Sequence, residues 1–262
     1  MSRAKGPAAE IAAALRHDRP LLDFVGKRSS GQALLAERDG IAGALAGLGM
    51  TPGKRLLLFL PNCPALLAGM LAGLEGGLDV ALADPRGEEA ALRHRLEAYC
   101  PDAILTADLA LPLDRLLRLE DAAPGAEVLV ARMAAMLPFP RNILTPLLRG
   151  SGLAAIPPLP RFHDLQKYAK AKTEAAETAP SAKLRLPEGE VSLATLLAMA
   201  RGQGLPARWI LGAPLAESRA LILLLASLRQ GRLALLTPRL DAASLTRLAR
   251  KCGAQVLPAA AA

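Results

Sequence analysis

The chain has 262 residues, of which 52% are hydrophobic and only 3% aromatic, so a folded core would be built from Leu, Ala and Val. This length suits one large domain or two small ones. The formal net charge is +8, and the three cysteines, Cys63, Cys100 and Cys252, form no close pair. Their spacing excludes a CxxC redox motif and a thiolate zinc site, and it favours a reducing, cytoplasmic location.

The first predicted elements are a lead-in segment and a helix. Residues 1–30 form the lead-in, where His17, Asp18 and Arg19 precede any long apolar segment, unlike in a secretory signal. We therefore expect a short lead-in helix there. Gln32–Leu48 has the pattern of an amphipathic helix that ends at a glycine.

An uncharged run from Leu56 to Leu74 follows, and a membrane span is one interpretation of it. The sequence Pro-Asn-Cys-Pro at 61–64 interrupts the run, whereas a span needs about 20 residues of continuous helix. The pattern therefore favours a buried strand over Leu56–Leu60 and a helix from Pro64 to Glu75, with no transmembrane segment.

Gly69 and Gly73 give this predicted helix a GxxxG spacing. In lipid the spacing would favour helix dimerisation. In a helix that covers a sheet, it would instead allow close approach to the strands. We favour the second interpretation.

Strands and helices continue to alternate along the rest of the chain. This alternation predicts an α/β fold in three layers, with mostly parallel sheets flanked by helices. The further predicted strands are Leu78–Ala83, Ala103–Thr106, Glu127–Ala131, Arg208–Leu211, Arg232–Leu236 and Gln255–Leu257. The further predicted helices are Glu88–Tyr99, Val191–Arg201, Pro214–Arg229 and Ala242–Cys252.

Residues Met136–Gly150 combine an apolar stripe with Arg141 and Arg149. Such a pattern is typical of a surface or interfacial helix. The stripe consists of Phe139, Ile143, Leu144, Leu147 and Leu148.

The positive charge is concentrated after residue 190, where nine Arg or Lys residues face only two acids, Glu217 and Asp241. These cations are spread over several elements, which indicates a solvated basic face or contact with an anionic membrane surface rather than specific nucleic-acid binding. We divide the chain into the lead-in (1–30), a first α/β subdomain (31–165), a linker (166–190) and a second, basic βα segment (191–262).

Several short motifs together resemble the amino-terminal region of the adenylate-forming acyl-CoA synthetases. They are Leu48-Gly49, Pro52-Gly53-Lys54-Arg55, Pro61-Asn62, Gly76-Gly77 and Asp84-Pro85. Met136–Gly150 is similar to a segment of the long-chain fatty-acid branch. The resemblance implies an incomplete version of that family's large amino-terminal domain. If the family activity is retained, it also implies ATP-dependent acid–thiol ligation with ATP, Mg²⁺ and CoA.

The chain departs from the family where a glycine- and hydroxyl-rich loop should hold the phosphates of ATP. No glycine occurs between residues 167 and 187, and Ser181 and Lys183 are the weak remnant of the loop. Glu174 and Glu177 would repel a triphosphate, and residues with side chains keep the backbone away from it. The linker 166–190 is therefore predicted to replace the phosphate loop.

Other catalytic groups of the family are not found. Glu217-Ser218 stands where relatives commonly carry a His, and no magnesium-binding acid, ribose-binding Asp or catalytic Lys is located. His163-Asp164 is either an orienting pair for a base or, as we favour, a helix cap. The sequence thus predicts no catalytic residue, no metal site and no cofactor.

These observations favour a degenerate accessory protein of fatty-acid metabolism that binds an acyl chain or a partner enzyme without adenylating alone. One alternative is a ligase subunit completed by another chain, and another is a decaying gene product. An incomplete sheet is also expected to expose an edge, which predicts a partner or self-association.

Overall fold

The computed structural model describes residues 7–16, 18–145, 152–168, 183–238 and 241–257. Its strands are β1 (Pro20–Phe24), β2 (Lys27–Ser30), β3 (Arg55–Phe59), β4 (Asp79–Ala83), β5 (Ala103–Ala107), β6 (Glu127–Ala131), β7 (Phe162–Asp164), β8 (Lys183–Leu186), β9 (Gly189–Val191), β10 (Arg208–Leu211), β11 (Leu233–Leu236) and β12 (Gln255–Leu257). Its helices are α1 (Pro7–Ala14), α2 (Gly31–Gly47), α3 (Pro64–Glu75), α4 (Glu89–Tyr99), α5 (Ala110–Arg118), α6 (Arg141–Leu144), α7 (Leu165–Tyr168), α8 (Leu193–Arg201), α9 (Ser218–Gln230) and α10 (Ala242–Cys252). Short 3-10 helices occupy Glu120–Ala122 and Met133–Met136.

These strands form two sheets. The seven-stranded sheet has the order β7-β6-β5-β3-β4-β8-β9, and the five-stranded sheet has the order β12-β10-β11-β1-β2. Neighbouring strands are parallel except in the pairs β1–β2 and β8–β9. The first two strands of the chain therefore lie in the same sheet as β10, β11 and β12, because β1 pairs with β11.

Helices cover both faces of each sheet. The largest core lies between the sheets, where side chains such as Leu56 and Leu236 pack with those of α2, α3, α8 and α9. On the far side of the seven-stranded sheet, Leu57 packs with residues of α4 and α5, and on the far side of the five-stranded sheet Ile210 packs with Leu245 of α10. Each sheet thus has the predicted three-layer arrangement, and the two arrangements share the middle helix layer.

The uncharged run is divided between β3 and α3. The helix starts at Pro64, and its side chains are buried from residue 64 to residue 74, since it lies in the shared layer between the sheets. A Cβ atom on Gly69 would lie 2.5 Å from Cδ2 of Leu105, and one on Gly73 would lie 2.7 Å from Cγ2 of Val80. The GxxxG pair therefore serves close packing against the sheet, as we favoured.

Among the described residues, no helix is both long enough and apolar enough to cross a bilayer.

The structure differs from the sequence-based expectations at several elements. The predicted lead-in also contains β1 and β2, and the predicted linker 166–190 contains part of α7 and the β8–β9 hairpin. In the segment 136–150 the α-helix covers only Arg141–Leu144 within the described part, and 146–150 lies outside it. Helix α8 starts at Leu193 instead of residue 191, because the Ser192 hydroxyl caps it by accepting the Thr195 amide hydrogen at 3.0 Å.

Candidate functional site

The carboxyl ends of the two sheets face each other, and a buried asparagine connects them. Asn62, which follows β3, is 2% exposed. Its Nδ2 donates to the Ala213 carbonyl oxygen at 2.7 Å, and its Oδ1 accepts from the Leu215 amide at 2.8 Å. Since Ala213 and Leu215 follow β10 of the other sheet, one side chain fixes the relative position of both edges. In open α/β sheets this edge is the usual place for a ligand.

A second connection is made by the β8–β9 hairpin. Its turn lies at the carboxyl end of β8, and Oε1 of Glu188 in the turn accepts from the Ser218 amide at 3.2 Å. Ser218 is the first residue of α9, so the carboxylate occupies the positive amino end of a 13-residue helix. That end of a helix is also where an anionic ligand would be favoured.

Three carboxylates, those of Glu188, Glu217 and Asp84, lie at the junction, and Arg95 and Arg86 interact with two of them. The pKa of Glu217, the N-cap residue of α9, is raised mainly by burial and further by the charges of Glu188 and Asp84. Asp84 itself pairs with Arg86 at 3.5 Å between Oδ1 and Nε. Within the described ranges, no group of three or more His, Cys, Asp or Glu side chains is arranged to hold a metal ion.

A second charged group lies at the carboxyl ends of β5, β6 and β7. Arg132 donates to Oδ2 of Asp164 at 2.8 Å through Nη2, and its Nη1 lies 3.6 Å from Oδ2 of Asp108. Oδ1 of Asp108 accepts the Met133 amide at 2.6 Å. Burial raises the pKa of Asp108, against the lowering effects of that amide and of Arg132. These bonds hold the chain that leaves β6 in a fixed path.

Two groups of the shared layer, the half-buried carboxyl of Glu37 and the buried thiol of Cys63, have strongly shifted pKa values. Burial raises the pKa of Glu37 to about 7, although Lys27 opposes the shift. Burial also raises the pKa of the Cys63 thiol to about 12. Because a thiolate is the reactive form, Cys63 is chemically inert at neutral pH.

Of the two nucleotide-binding candidates selected from the sequence, Ser181 and Lys183, only Lys183 lies within the described residues. Ser181, Glu174 and Glu177 lie outside the described residues. Lys183 is the first residue of β8, so it lies at the amino edge of the sheet, away from Asn62, with Nζ 3.4 Å from Oε1 of Glu190. Its role in nucleotide binding stays a prediction.

The His163-Asp164 pair behaves as a structural element. Oδ1 of Asp164 accepts the Gln166 amide at 3.1 Å at the start of α7, which is the expected cap. Nε2 of His163 lies 2.6 Å from Oε2 of Glu127 on the neighbouring strand, and the imidazole packs edge-on against Tyr168.

Glu188 was not selected from the sequence, although a signal was present. Lys183-Leu184-Arg185-Leu186 alternates polar and apolar residues, and Pro187-Glu188-Gly189 follows as a turn signal. A hairpin could therefore have been predicted inside the assumed linker. Its position beside α9 depends on contacts between distant parts of the chain.

Comparison with known proteins agrees with this architecture. The family model of the AMP-binding enzymes matches residues 9–174, more than half of the chain. The protein therefore belongs to the AMP-binding enzyme family. A long-chain-fatty-acid–CoA ligase of Bacillus subtilis (strain 168) is 29% identical over 130 residues, which cover 50% of this chain and 23% of that ligase.

Solved structures give the same fold. A coronafacic acid ligase from Pectobacterium brasiliense superposes with a TM-score of 0.74 at 14% identity, over 97% of this chain and 50% of that one. A benzoate CoA ligase from Burkholderia xenovorans LB400 gives a TM-score of 0.70 at 16% identity, over 93% of this chain and 47% of that one. The chain thus spans about half the length of these relatives.

Proposed function

We propose that this AMP-binding family member does not form acyl-adenylate by itself and acts as a non-catalytic accessory that binds an acyl chain or a partner enzyme. The observation that carries the proposal is the group of carboxylates at the junction between the sheets. There the carboxylate of Glu188 accepts the Ser218 amide at the amino end of α9, with Glu217 and Asp84 close by.

The physical argument concerns the charge of the nucleotide. Adenylation places additional negative charge on a phosphorus atom, and enzymes stabilise it with aligned amides, cations or a bound metal ion. A carboxylate that already occupies a helix amino end removes that amide from use and repels a phosphate. The described residues at this junction therefore do not fit a triphosphate.

The direct test is an ATP–pyrophosphate exchange assay with a panel of fatty acids, with Mg²⁺ present. We expect exchange at the level of the protein-free reaction. Exchange above that level would disprove the proposal. A Glu188→Gln variant is assayed in parallel with the wild type, because the substitution keeps the turn and removes the negative charge of residue 188.

Binding is measured separately by calorimetric titration with ATP and with acyl-CoA. Heat from the acyl compound without heat from ATP supports an acyl-binding accessory. Absence of heat from both, together with capture of a ligase in a defined mixture, would support the partner-binding form of the proposal.

An alternative is that the chain contributes one part of a working fatty-acid–CoA ligase that a second chain completes. The observation that favours it is that superposition extends over nearly all of this chain but only about half of each solved ligase. A neighbouring reading frame that encodes an intact adenylating motif would identify the second chain. Co-expression of the two chains should then produce exchange activity that neither has alone.

A further inference from the structure

The chain segment after β6 exposes unusually apolar side chains. Phe139 is 78% exposed, Ile143 56% and Leu144 49%, and all three lie within six residues of one another. Phe139 is the most exposed large hydrophobic residue in the described part of the chain. We call Phe139, Ile143 and Leu144, together with Arg141, the α6 patch. Such clustering marks an interaction surface, whereas single exposed apolar residues are ordinary.

The α6 patch is held in place by the fold. The Asn142 amide donates to the Pro138 carbonyl at 3.1 Å, and the Leu144 amide donates to the Pro140 carbonyl at 3.0 Å. Just before the patch, Met133 and Met136 are buried in the main core. The apolar side chains are therefore presented to solvent by an ordered backbone.

Residues at the β1–β2 turn of the other sheet make hydrogen bonds to the same segment, and these bonds place positive charge beside it. Nη1 of Arg141 donates to the Val25 carbonyl at 3.3 Å, and Nζ of Lys27 donates to the Ala135 carbonyl at 2.5 Å. Two cations, Arg141 and Lys27, thus accompany the α6 patch.

The segment that carries the patch has no acid of its own, and the described acids that interact with Lys27 or with the β1–β2 turn are paired or partly buried. No Asp or Glu occurs from residue 132 to residue 163, a stretch that carries four arginines. The nearby acid on β1, Asp23, is nearly buried, accepts the Gly26 amide at 2.8 Å and lies 3.5 Å from Nε of Arg28. Glu37 is the other acid that interacts with Lys27, and its pKa is raised by burial.

Exposed apolar side chains with cations beside them complement one kind of partner. The apolar groups can enter the boundary of a bilayer while Lys and Arg contact anionic head groups. Phe139 projects into solvent, which suits insertion into a soft surface. We propose that the α6 patch, with Lys27, docks the protein on an anionic lipid bilayer. This inference does not depend on whether the chain adenylates.

Vesicle co-sedimentation of the full chain tests the proposal. The probes are vesicles of phosphatidylcholine alone and vesicles of phosphatidylcholine and phosphatidylglycerol in equal amounts. We expect binding to the anionic vesicles that weakens as salt increases, and at least about tenfold weaker binding to the neutral vesicles.

Two variants and a control locate the surface. Phe139→Asn with Ile143→Asn should weaken binding to anionic vesicles about tenfold or more, because both apolar groups are lost. Lys27→Gln with Arg141→Gln should weaken binding and reduce its salt dependence. Met199→Asn is the matched control, since Met199 of α8 is 53% exposed outside the patch, and it should bind as the wild type does.

Several results would overturn the proposal. They are failure of the wild type to sediment with anionic vesicles, equal binding to both kinds of vesicle, and equal weakening by Met199→Asn. If the Phe139 and Ile143 variant instead converts a dimer to a monomer without affecting vesicle binding, the patch is an interface between copies of the chain. Thermal unfolding of each variant confirms that it is folded, so that lost binding is not mistaken for lost structure.

Discussion

Asn62 shows how one residue can fix the geometry of a whole site. Its amide both donates and accepts across the junction, whereas Asp, of similar size, could accept but not donate when ionised, and Leu could do neither. Because the group is buried, the backbone atoms that it contacts have no water to replace it. The Pro-Asn sequence after β3 therefore determines how the two sheets approach each other.

Replacing this residue provides a prediction about stability. Asn62→Ala leaves the Ala213 carbonyl and the Leu215 amide without their partner, and we expect a loss of about 2–4 kcal/mol in the free energy of unfolding. Urea denaturation measures the loss. Gln32→Ala, an exposed amide on α2, should change stability by less than about 0.5 kcal/mol. A similar small change for Asn62→Ala would show that the two edges are joined by other contacts.

Glu37 gives a prediction about pH. Its pKa is about 7 in the folded chain because of burial, compared with an ordinary value of 4.5. Between these two values the folded chain binds more protons than the unfolded chain, so stability falls as pH rises. The contribution is fully present below pH 4.5 and is lost above pH 7.

The Glu37→Gln variant should lack this contribution to the pH dependence. We expect it to be more stable than the wild type at pH 8 by roughly 1–3 kcal/mol, with a much smaller difference at pH 5. Urea denaturation of both proteins at the two pH values measures the effect. Equal differences at both would show that Glu37 ionises normally in the folded state.

At the scale of elements, the close packing of α3 against the sheet depends on glycines, which have no side chain. A Cβ atom at residue 73 would lie 2.7 Å from Cγ2 of Val80 and 3.0 Å from Cδ2 of Leu56. Val80 is β-branched and stiff, so it cannot easily turn away. Leu105, which faces Gly69, has a more flexible end. Of the two glycines, Gly73 is therefore the more restrictive.

Gly73→Ala should consequently destabilise the protein. Overpacking costs about 1–3 kcal/mol, while alanine gains about 1 kcal/mol in helix propensity, so we expect a net loss of about 1 kcal/mol. Gly47→Ala in α2 is the matched helical control, since its Cβ would lie at an ordinary 3.4 Å from Tyr168. The control should be neutral or stabilising in thermal unfolding. If both variants gain stability, the close approach of α3 to the sheet is incorrect.

The elements that could be predicted are those with a complete local signal. The helix Pro64–Glu75 has proline at its first position and glycines after its end, and the strand Glu127–Ala131 is an apolar run of ordinary length; both have the predicted bounds. Strand β1 is different. Its pairing with β11 joins positions about two hundred residues apart, so the residues around β1 carry no pattern that predicts the pairing. The site shows the same contrast: Pro61-Asn62 was recognisable as a motif, whereas its contact with Ala213 was not.

At the scale of the whole molecule, the sheet edges differ in their protection from other chains. Strand β2 carries Lys27 and Arg28, and β9 carries Glu190, and such charges discourage pairing with a further strand. Strand β12 has the sequence Gln-Val-Leu without a charge, and in the described part of the chain it pairs with β10 alone. Val256 on this strand is 39% exposed. Strand β12 is therefore the edge at which we expect self-association.

Substitution at this edge separates it from the α6 patch. We expect the wild type to form a dimer or larger species at micromolar concentration, and Val256→Lys to shift it towards the monomer, because a charge on an edge strand opposes pairing. Sedimentation velocity measures the distribution, with Phe139→Asn as the comparison because it lies on a different surface and should leave the distribution unchanged. A monomeric wild type would exclude association through β12. Loss of the larger species in Phe139→Asn alone would instead assign self-association to the α6 patch, since a strand edge and an apolar patch respond to different side chains.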